Sequence, residues 1–584
     1  MSSLSKEESK LDNSSDGIEL NAVAPFPEKK NHIQQFFDSF KRAEISPEDL
    51  EYANDPSLTE AERNAFLLQK TPFRKSLKSR HLQMIAIGGS VGTGLFIGSG
   101  SALRTGGAAS LPICWCIVGV LAYCTIHALG EVSSTYPISG AFSAHATRFI
   151  EPSVGFAIGW NYVLLWLVVL PSEIIAASLT IQFWDSSVNP VVWVAIFYCL
   201  ILTINIFGVR GYGEAEYFFS MVKVIAILGF LVLGIVLVCG GGPSHGFVGG
   251  INYRNPGPFT NGFKGVCTVF VTACYSVGGS ELVGVSGAES SNPRKELPKA
   301  IKQVFWRMML FFVGSLTLIS LLVNAKDQRL LGTSSADAEA SPFVIAIKNG
   351  GIKGLPSVMN AVILMSVISV GNASVFGCSR TLASLSTQGL APSCFSYVDR
   401  MGRPIFGIAA VACTGLLAFT VASDKESTIF SWLMALCGLS IIFTWCSINI
   451  SHIRFRLAMK AQGRSLDELT FTSHAGIWGS VLSLVILVIF LFLQFWVALW
   501  PVSHKGVDVT NFFQNYLGAI IVLVSYIGRK IYKRKFWEFL PLNEIPLDAG
   551  RAEVDIDELQ HEIEEEEKKM QSRGRLYRWY RWWC

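Results

Sequence analysis

The chain has 584 residues, of which 51% are apolar and only 16% are Asp, Glu, Lys or Arg; a soluble protein carries about 25% charged residues. Of the 92 charges, 26 fall in residues 1–80 and 19 in 536–584, so the long middle is too apolar for a water-facing surface and reads as a membrane domain between two charged tails. A net charge of +4 without a basic stripe among aromatics excludes a nucleic-acid partner, and 13 Cys without a CxxC exclude a zinc site and a disulfide framework.

Residues 1–80 mix 14 acids and 12 bases with Ser, Asn and Pro. Such a segment buries too little apolar surface to offset ordering entropy, so a mostly disordered arm is expected. Lys6, Lys10, Lys29 and Lys30 are candidate attachment points for ubiquitin ligase machinery. The first 30 residues hold no apolar core of a signal peptide, so the first span is expected to act as its own insertion signal.

A helix crosses a bilayer with about 20 apolar residues. Twelve stretches qualify: 82–104, 108–134, 155–182, 190–209, 216–240, 263–288, 304–324, 355–380, 404–422, 428–451, 475–501 and 512–530. A helix-like piece at 342–349 is placed between spans, on the outer side. With both termini cytoplasmic, the inner loops of this region carry 19 basic residues and the outer loops nine, the asymmetry that sets orientation. The division is therefore a tail at 1–80, an all-α domain of twelve membrane helices at 81–533 and a second cytosolic tail at 534–584.

Span one runs Gly88-Gly89-Ser90-Val91-Gly92-Thr93-Gly94, and span six runs Tyr275-Ser276-Val277-Gly278-Gly279-Ser280-Glu281. One such run can simply let helices pack closely. Two, in the first and sixth spans, fit a pair of broken helices in a five-plus-five inverted repeat. An unwound turn frees backbone groups that are costly in lipid unless they line a cavity or hold a ligand. N–H groups at the start of a half-helix suit a carboxylate, and C=O groups at the end of one suit an ammonium. Face to face, the two breaks would grip both ends of an α-amino acid.

Charges within spans suggest function by default. Glu173 follows Pro171 in span three, Lys223 lies in span five, and Glu281 adjoins the span-six break. Lys223 reads either as a structural cation or as a fixed charge in place of a coupling sodium. Glu281 reads either as a stabiliser of the break or as a proton carrier. Glu131 and Glu289, near inner ends, read as snorkelling or loop contacts. Gly88-x-Ser90-x-Gly92 matches a hydrolase elbow, but no strand precedes it. No metal cluster or phosphate loop occurs in a fitting context, so neither an enzyme nor a cofactor is expected.

The C-terminal tail has an acidic stretch from Glu553 to Lys569 and ends Tyr577-Arg578-Trp579-Tyr580-Arg581-Trp582-Trp583-Cys584. Arginines among Tyr and Trp suit the headgroup layer of the lipid bilayer. Cys584 is a candidate for palmitoylation.

Several runs carry a resemblance. Arg80-His81-Leu82-Gln83-Met84-Ile85-Ala86-Ile87-Gly88-Gly89, Gly211-Tyr212-Gly213-Glu214-Ala215-Glu216, Gly279-Ser280-Glu281-Leu282-Val283-Gly284, Val398-Asp399-Arg400-Met401-Gly402-Arg403-Pro404 and His452-Ile453-Arg454-Phe455-Arg456 resemble fungal general amino-acid permeases of the amino acid–polyamine–organocation superfamily. The resemblance covers about residues 60 to 584. It implies a twelve-helix membrane fold with the inverted repeat, in the plasma membrane, taking up L-amino acids of broad range with protons. It implies carboxylate binding around Ser90, Val91, Gly92, Thr93 and Gly94. Amino-group binding falls near Tyr275, Ser276, Gly278, Gly279 and Glu281, Lys223 matches the span-five lysine, and Gly371 to Ser374 line the path. A signalling permease with little net transport is the alternative, although the dedicated sensors of the family resemble permeases with a much longer N-terminal tail.

Overall fold

Without water to take up N–H and C=O groups, apolar stretches of this length close their hydrogen bonds internally. The computed structural model is accordingly helical. It describes residues 37–43, 46–70, 73–184, 187–243, 246–331, 341–422, 426–502, 506–536, 538–551 and 574. Among these, β pairing is limited to isolated bridges, Arg42 with Asp399 and Leu77 with Ser290. The tail lysines named above, the stretch Glu553 to Lys569 and Cys584 lie outside the described residues.

Among the described residues, ten helices are long and apolar enough to cross a membrane. They are α1 (Arg80–Gly106), α2 (Ser110–Thr135), α3 (Pro152–Ile181), α5 (Gly208–Val238), α6 (Gly262–Gly287), α8 (Leu355–Thr387), α9 (Ile405–Ala422), α10 (Trp432–Ala461), α11 (Gly476–Leu499) and α12 (Val509–Lys533). Two shorter apolar helices, α4 (Pro190–Ile206) and α7 (Leu310–Leu322), stand where the fourth and seventh spans are expected. The piece at 342–349 is the helix Pro342–Asn349; its Phe343 ring packs against Phe96 of α1 and Phe230 of α5.

The helices sort into a core and a rim. The apolar windows of α1, α3 and α8 are 83% buried, that of α12 only 6%. Exposed apolar faces on α5, α11 and α12 are what lipid requires. In the core α3 and α8 approach closely through small residues: a Cβ at Gly159 would lie 2.4 Å from Leu385 Cδ2, and one at Gly377 3.1 Å from Trp166 Nε1.

Both tails are fastened at their roots. Residues 46–70 contain the helices Pro47–Ala53 and Glu60–Gln69, which narrows the expectation of a disordered arm. Thr59 and Glu62 close a capping box on the second, and Leu68 packs against Ile138 and Ala144. Residues 538–551 dock on the ends of α2 and α10. Tyr136 donates to the Leu547 carbonyl at 2.6 Å, Gln462 donates to Leu542 and Ile545, and Ile545 and Leu547 join an apolar cluster with Phe149 and Phe455.

The loop before α9 is held by a buried ion pair. Arg403 Nε donates to Asp399 Oδ2 at 2.6 Å, and the same guanidinium donates to Ile206 O at 2.6 Å and Ser39 Oγ at 2.9 Å. Arg403→Ala leaves Asp399 buried and unpaired, a loss of about 3–5 kcal/mol. The expected result is a clear fall in the melting temperature of the detergent-solubilised protein; an unchanged melting temperature would contradict this role.

Candidate substrate site

The two glycine-rich runs interrupt their helices. The helix Ser79–Ser90 stops at Val91, which is extended at φ −84° and ψ 95°. A wide turn over Gly94–Gly98 and the helix Ser99–Gly106 then complete α1. Ser90 Oγ donates back to Ala86 O at 3.0 Å, filling a carbonyl of the last turn. In α6 the helix Gly262–Val277 ends at Gly278, with ψ 152°, and Gly279 takes φ +93°, a conformation open to glycine. Leu282–Gly287 resumes the helix.

Glu281 folds over its own break. Both carboxylate oxygens accept the Gly279 N–H at 3.1 Å, and Tyr162 Oη and Trp445 Nε1 donate from the other side at 3.4 and 3.5 Å.

The breaks touch each other. A Cβ at Gly279 would stand 2.4 Å from Gly89 O, and one at Gly94 2.6 Å from Ser276 Cα. Beside them lies a small cavity. Gly89, Ser90, Gly92, Thr93 and Gly94 line it from α1, and Tyr275, Gly278 and Gly279 from α6. The remaining wall is Leu165, Trp166, Val169 and Glu173 of α3, Val370 of α8 and Ile441 of α10.

The other expected site residues lie outside this lining. Val91 is buried and its N–H bonds Ile87 O. Ser276 accepts from Trp115 Nε1 at 2.8 Å. Glu281 serves the break rather than the cavity wall. Gly371 and Ser374 bond to each other within α8, Ser374 Oγ donating to Gly371 O at 2.6 Å, and Val370 is the wall residue there.

Glu173 Oε1 accepts from Thr93 Oγ1 at 2.7 Å, which joins α3 to the break in α1. Its Oε2 has no hydrogen-bond partner among the described residues. Lys223 stands behind α1: Nζ donates to Gly88 O at 2.7 Å and to Ser369 Oγ at 2.9 Å. It thus takes up a carbonyl at the end of the first half-helix. Of the two readings for Glu131 and Glu289, snorkelling is corrected, while a loop contact holds for Glu131, which accepts the Ser473 N–H at 2.6 Å. Both are buried and paired, Glu131 with Arg456 and Glu289 with Arg380, because each base comes from a helix distant in sequence.

The apolar wall was missed by sequence reasoning, since Leu, Val, Ile and Trp within an apolar span look the same toward a cavity or lipid. Glu216 was also missed. It lies seven positions before Lys223, about two helical turns away on one face of α5, and that spacing was a usable signal.

At Gly279 both the left-handed backbone and the 2.4 Å approach to Gly89 O exclude a side chain. Gly279→Ala is expected to remove amino-acid uptake while the protein still reaches the cell surface. Gly229→Ala, with nothing within 4 Å of its Cβ, is the matched control with normal uptake. Equal uptake by both variants would contradict the close contact of the breaks.

Residues 81–541 match the model of a family described as amino acid permease. The chain is 53% identical over 563 residues to the general amino-acid permease GAP2 of Candida albicans, covering 96% of this chain and 94% of that one. It is 53% identical over 559 residues to the general amino-acid permease GAP1 of Saccharomyces cerevisiae, covering 94% and 91%. It is 49% identical over 563 residues to the tryptophan permease of Saccharomyces cerevisiae, covering 95% and 91%. A multi-pass helical architecture with two broken helices, and likeness over nearly the whole length, lead to one conclusion: the chain belongs to the amino acid permease family.

Proposed function

We propose that the protein takes up L-amino acids across the plasma membrane together with protons. The observation that carries this reading is the meeting of the two helix breaks at one cavity. N–H groups from Gly92 to Gly94 suit the substrate carboxylate. Carbonyls from Tyr275 to Gly278 suit its ammonium, with Thr93 and Glu173 alongside. Both ends of every α-amino acid are the same, so main-chain recognition there accepts many of them. Leu165, Trp166, Val169, Val370 and Ile441 would receive the side chain, and such an apolar wall discriminates weakly between residues of similar size. The relatives named as general amino-acid permeases support a broad range.

In this reading α1 to α12 all cross the membrane and both termini are cytoplasmic. Helices α1 to α5 and α6 to α10 form the inverted repeats, and access alternates as one bundle rocks against the other. Lys223 acts as a fixed cation that holds the broken end of α1. The tails carry the regulatory marks, with ubiquitin attached to lysines and a palmitoyl chain on Cys584.

The test is uptake of a panel of labelled amino acids in fungal cells lacking their own permeases, with and without a proton uncoupler. Concentrative uptake of several amino acids, lost with the uncoupler, is expected. No uptake by protein present at the plasma membrane would overturn the reading in favour of a sensor.

Trp166→Ala widens the cavity beside the helix breaks. The expected outcome is a change in relative preference toward larger side chains by up to about 10–200-fold, the range that hydrophobic pockets reach. A preference order unchanged across the panel would move the side-chain subsite elsewhere.

A further inference from the structure

Behind the cavity sits a second buried charge that the substrate site does not use. Glu216 of α5 is fully buried. Its Oε1 accepts from Ser369 Oγ and its Oε2 from Asn372 Nδ2 at 3.4 Å. Asn372 is oriented in turn by Asn205 of α4, whose Nδ2 donates to Asn372 Oδ1 at 2.8 Å. The Ser369 hydroxyl therefore bridges two charges, accepting from Lys223 Nζ and donating to Glu216.

The carboxylate also presses on the main chain of α1. A Cβ at Gly88 would stand 1.7 Å from Glu216 Oε1 and 2.6 Å from Ser220 Oγ. Gly88 is the residue whose carbonyl takes Lys223, on the turn that ends at the break. Glu216, Lys223 and Ser369 thus form one unit that joins α1, α5 and α8 at the foot of the proposed carboxylate site.

A charged pair linked through a hydroxyl, out of direct contact, is a poor structural device. Its charges stay desolvated while their attraction is weakened by distance. Its arrangement suits a charge that comes and goes. We propose that Glu216 is the residue that binds the coupled proton. This rests on the proton-symport reading above. Glu216 takes a proton from water that enters with the substrate and becomes a carboxylic acid; it returns the proton to water on the cytosolic side, and no other bond forms or breaks. Protonation removes a negative charge beside Gly88 and leaves the Lys223 ammonium to dominate the field at the break, which favours the substrate carboxylate. By reciprocity, bound substrate favours the protonated acid.

The groups that act on this pair from the surrounding helices are few in kind. Glu173 of α3 acts on Lys223, and Tyr212, on α5 itself, lies beside Glu216. The groups that α1, α4 and α8 place in this network are uncharged: the Gly88 carbonyl, Asn205, Ser369 and Asn372.

The experiment compares wild type, Glu216→Gln and Ser369→Ala in proteoliposomes loaded with amino acid. Three quantities are read: exchange without a gradient, accumulation driven by a pH gradient, and KM against pH. The wild type is expected to accumulate substrate and to lose affinity as pH rises, by about 5–150-fold in the usual range of such coupling. Glu216→Gln stands in for the protonated acid. Exchange should persist, KM should no longer follow pH, and accumulation should fail. Ser369→Ala keeps both charges but removes the bridge, so its KM–pH curve should be displaced from that of the wild type.

A wild type indifferent to the gradient would remove the symport reading itself. With a gradient-driven wild type, accumulation and a pH-dependent KM in Glu216→Gln would overturn the assignment alone. If Glu216→Gln lacks exchange altogether, Ser369→Ala decides: a wild-type KM–pH curve there reduces the unit to a structural support and overturns the assignment.

Discussion

A bilayer offers no hydrogen bonds to a free N–H or C=O, and two central helices of this protein open their ladders inside it. Most features of the core answer that constraint. Glu281 takes the Gly279 N–H, Lys223 takes the Gly88 carbonyl, and Ser90 returns its hydroxyl to the preceding turn. Gly89 and Gly279 are glycines because the two interrupted chains lie against each other. The groups left over face a cavity. A transporter needs such a place, where main-chain polarity is held open at the cost of local stability.

The supporting shell explains how the breaks persist. Glu281 is fixed from α3 by Tyr162 and from α10 by Trp445, while Glu173 reaches Thr93 from α3. Lys223 and Ser369 fix Gly88 from α5 and α8. Helices from across the chain therefore converge on a few backbone atoms of α1 and α6. In the proposed cycle, movement of any one of them relative to the others would change which of those atoms are occupied, and this would link rocking to binding. Helices α11 and α12 turn apolar faces outward.

Much of this architecture was legible in the sequence because it is written at the scale of twenty residues. Apolar runs between charged tails mark the spans, and even the short helices α4 and α7 fall where the runs do. The glycine pairs in α1 and α6 were legible because glycine in a helix is conspicuous. The rest is encoded in long-range pairing that composition does not reveal. Trp166, Val370 and Ile441 face the cavity, yet nothing separates them from apolar neighbours that face lipid or core. Arg380 and Arg456 counted as loop cations and proved to be partners of Glu289 and Glu131. Glu216, the first residue of the span expected at 216–240, was not singled out, although its spacing from Lys223 places the two on one face.

The account rests on the two breaks holding one amino acid between them. The most direct measurement is an experimental structure of the protein with an L-amino acid bound. The carboxylate should lie against the backbone N–H groups from Gly92 to Gly94, the ammonium against the carbonyls from Tyr275 to Gly278, and the side chain toward Trp166. An amino acid bound elsewhere, or bound in the cavity without contact to either break, would contradict it.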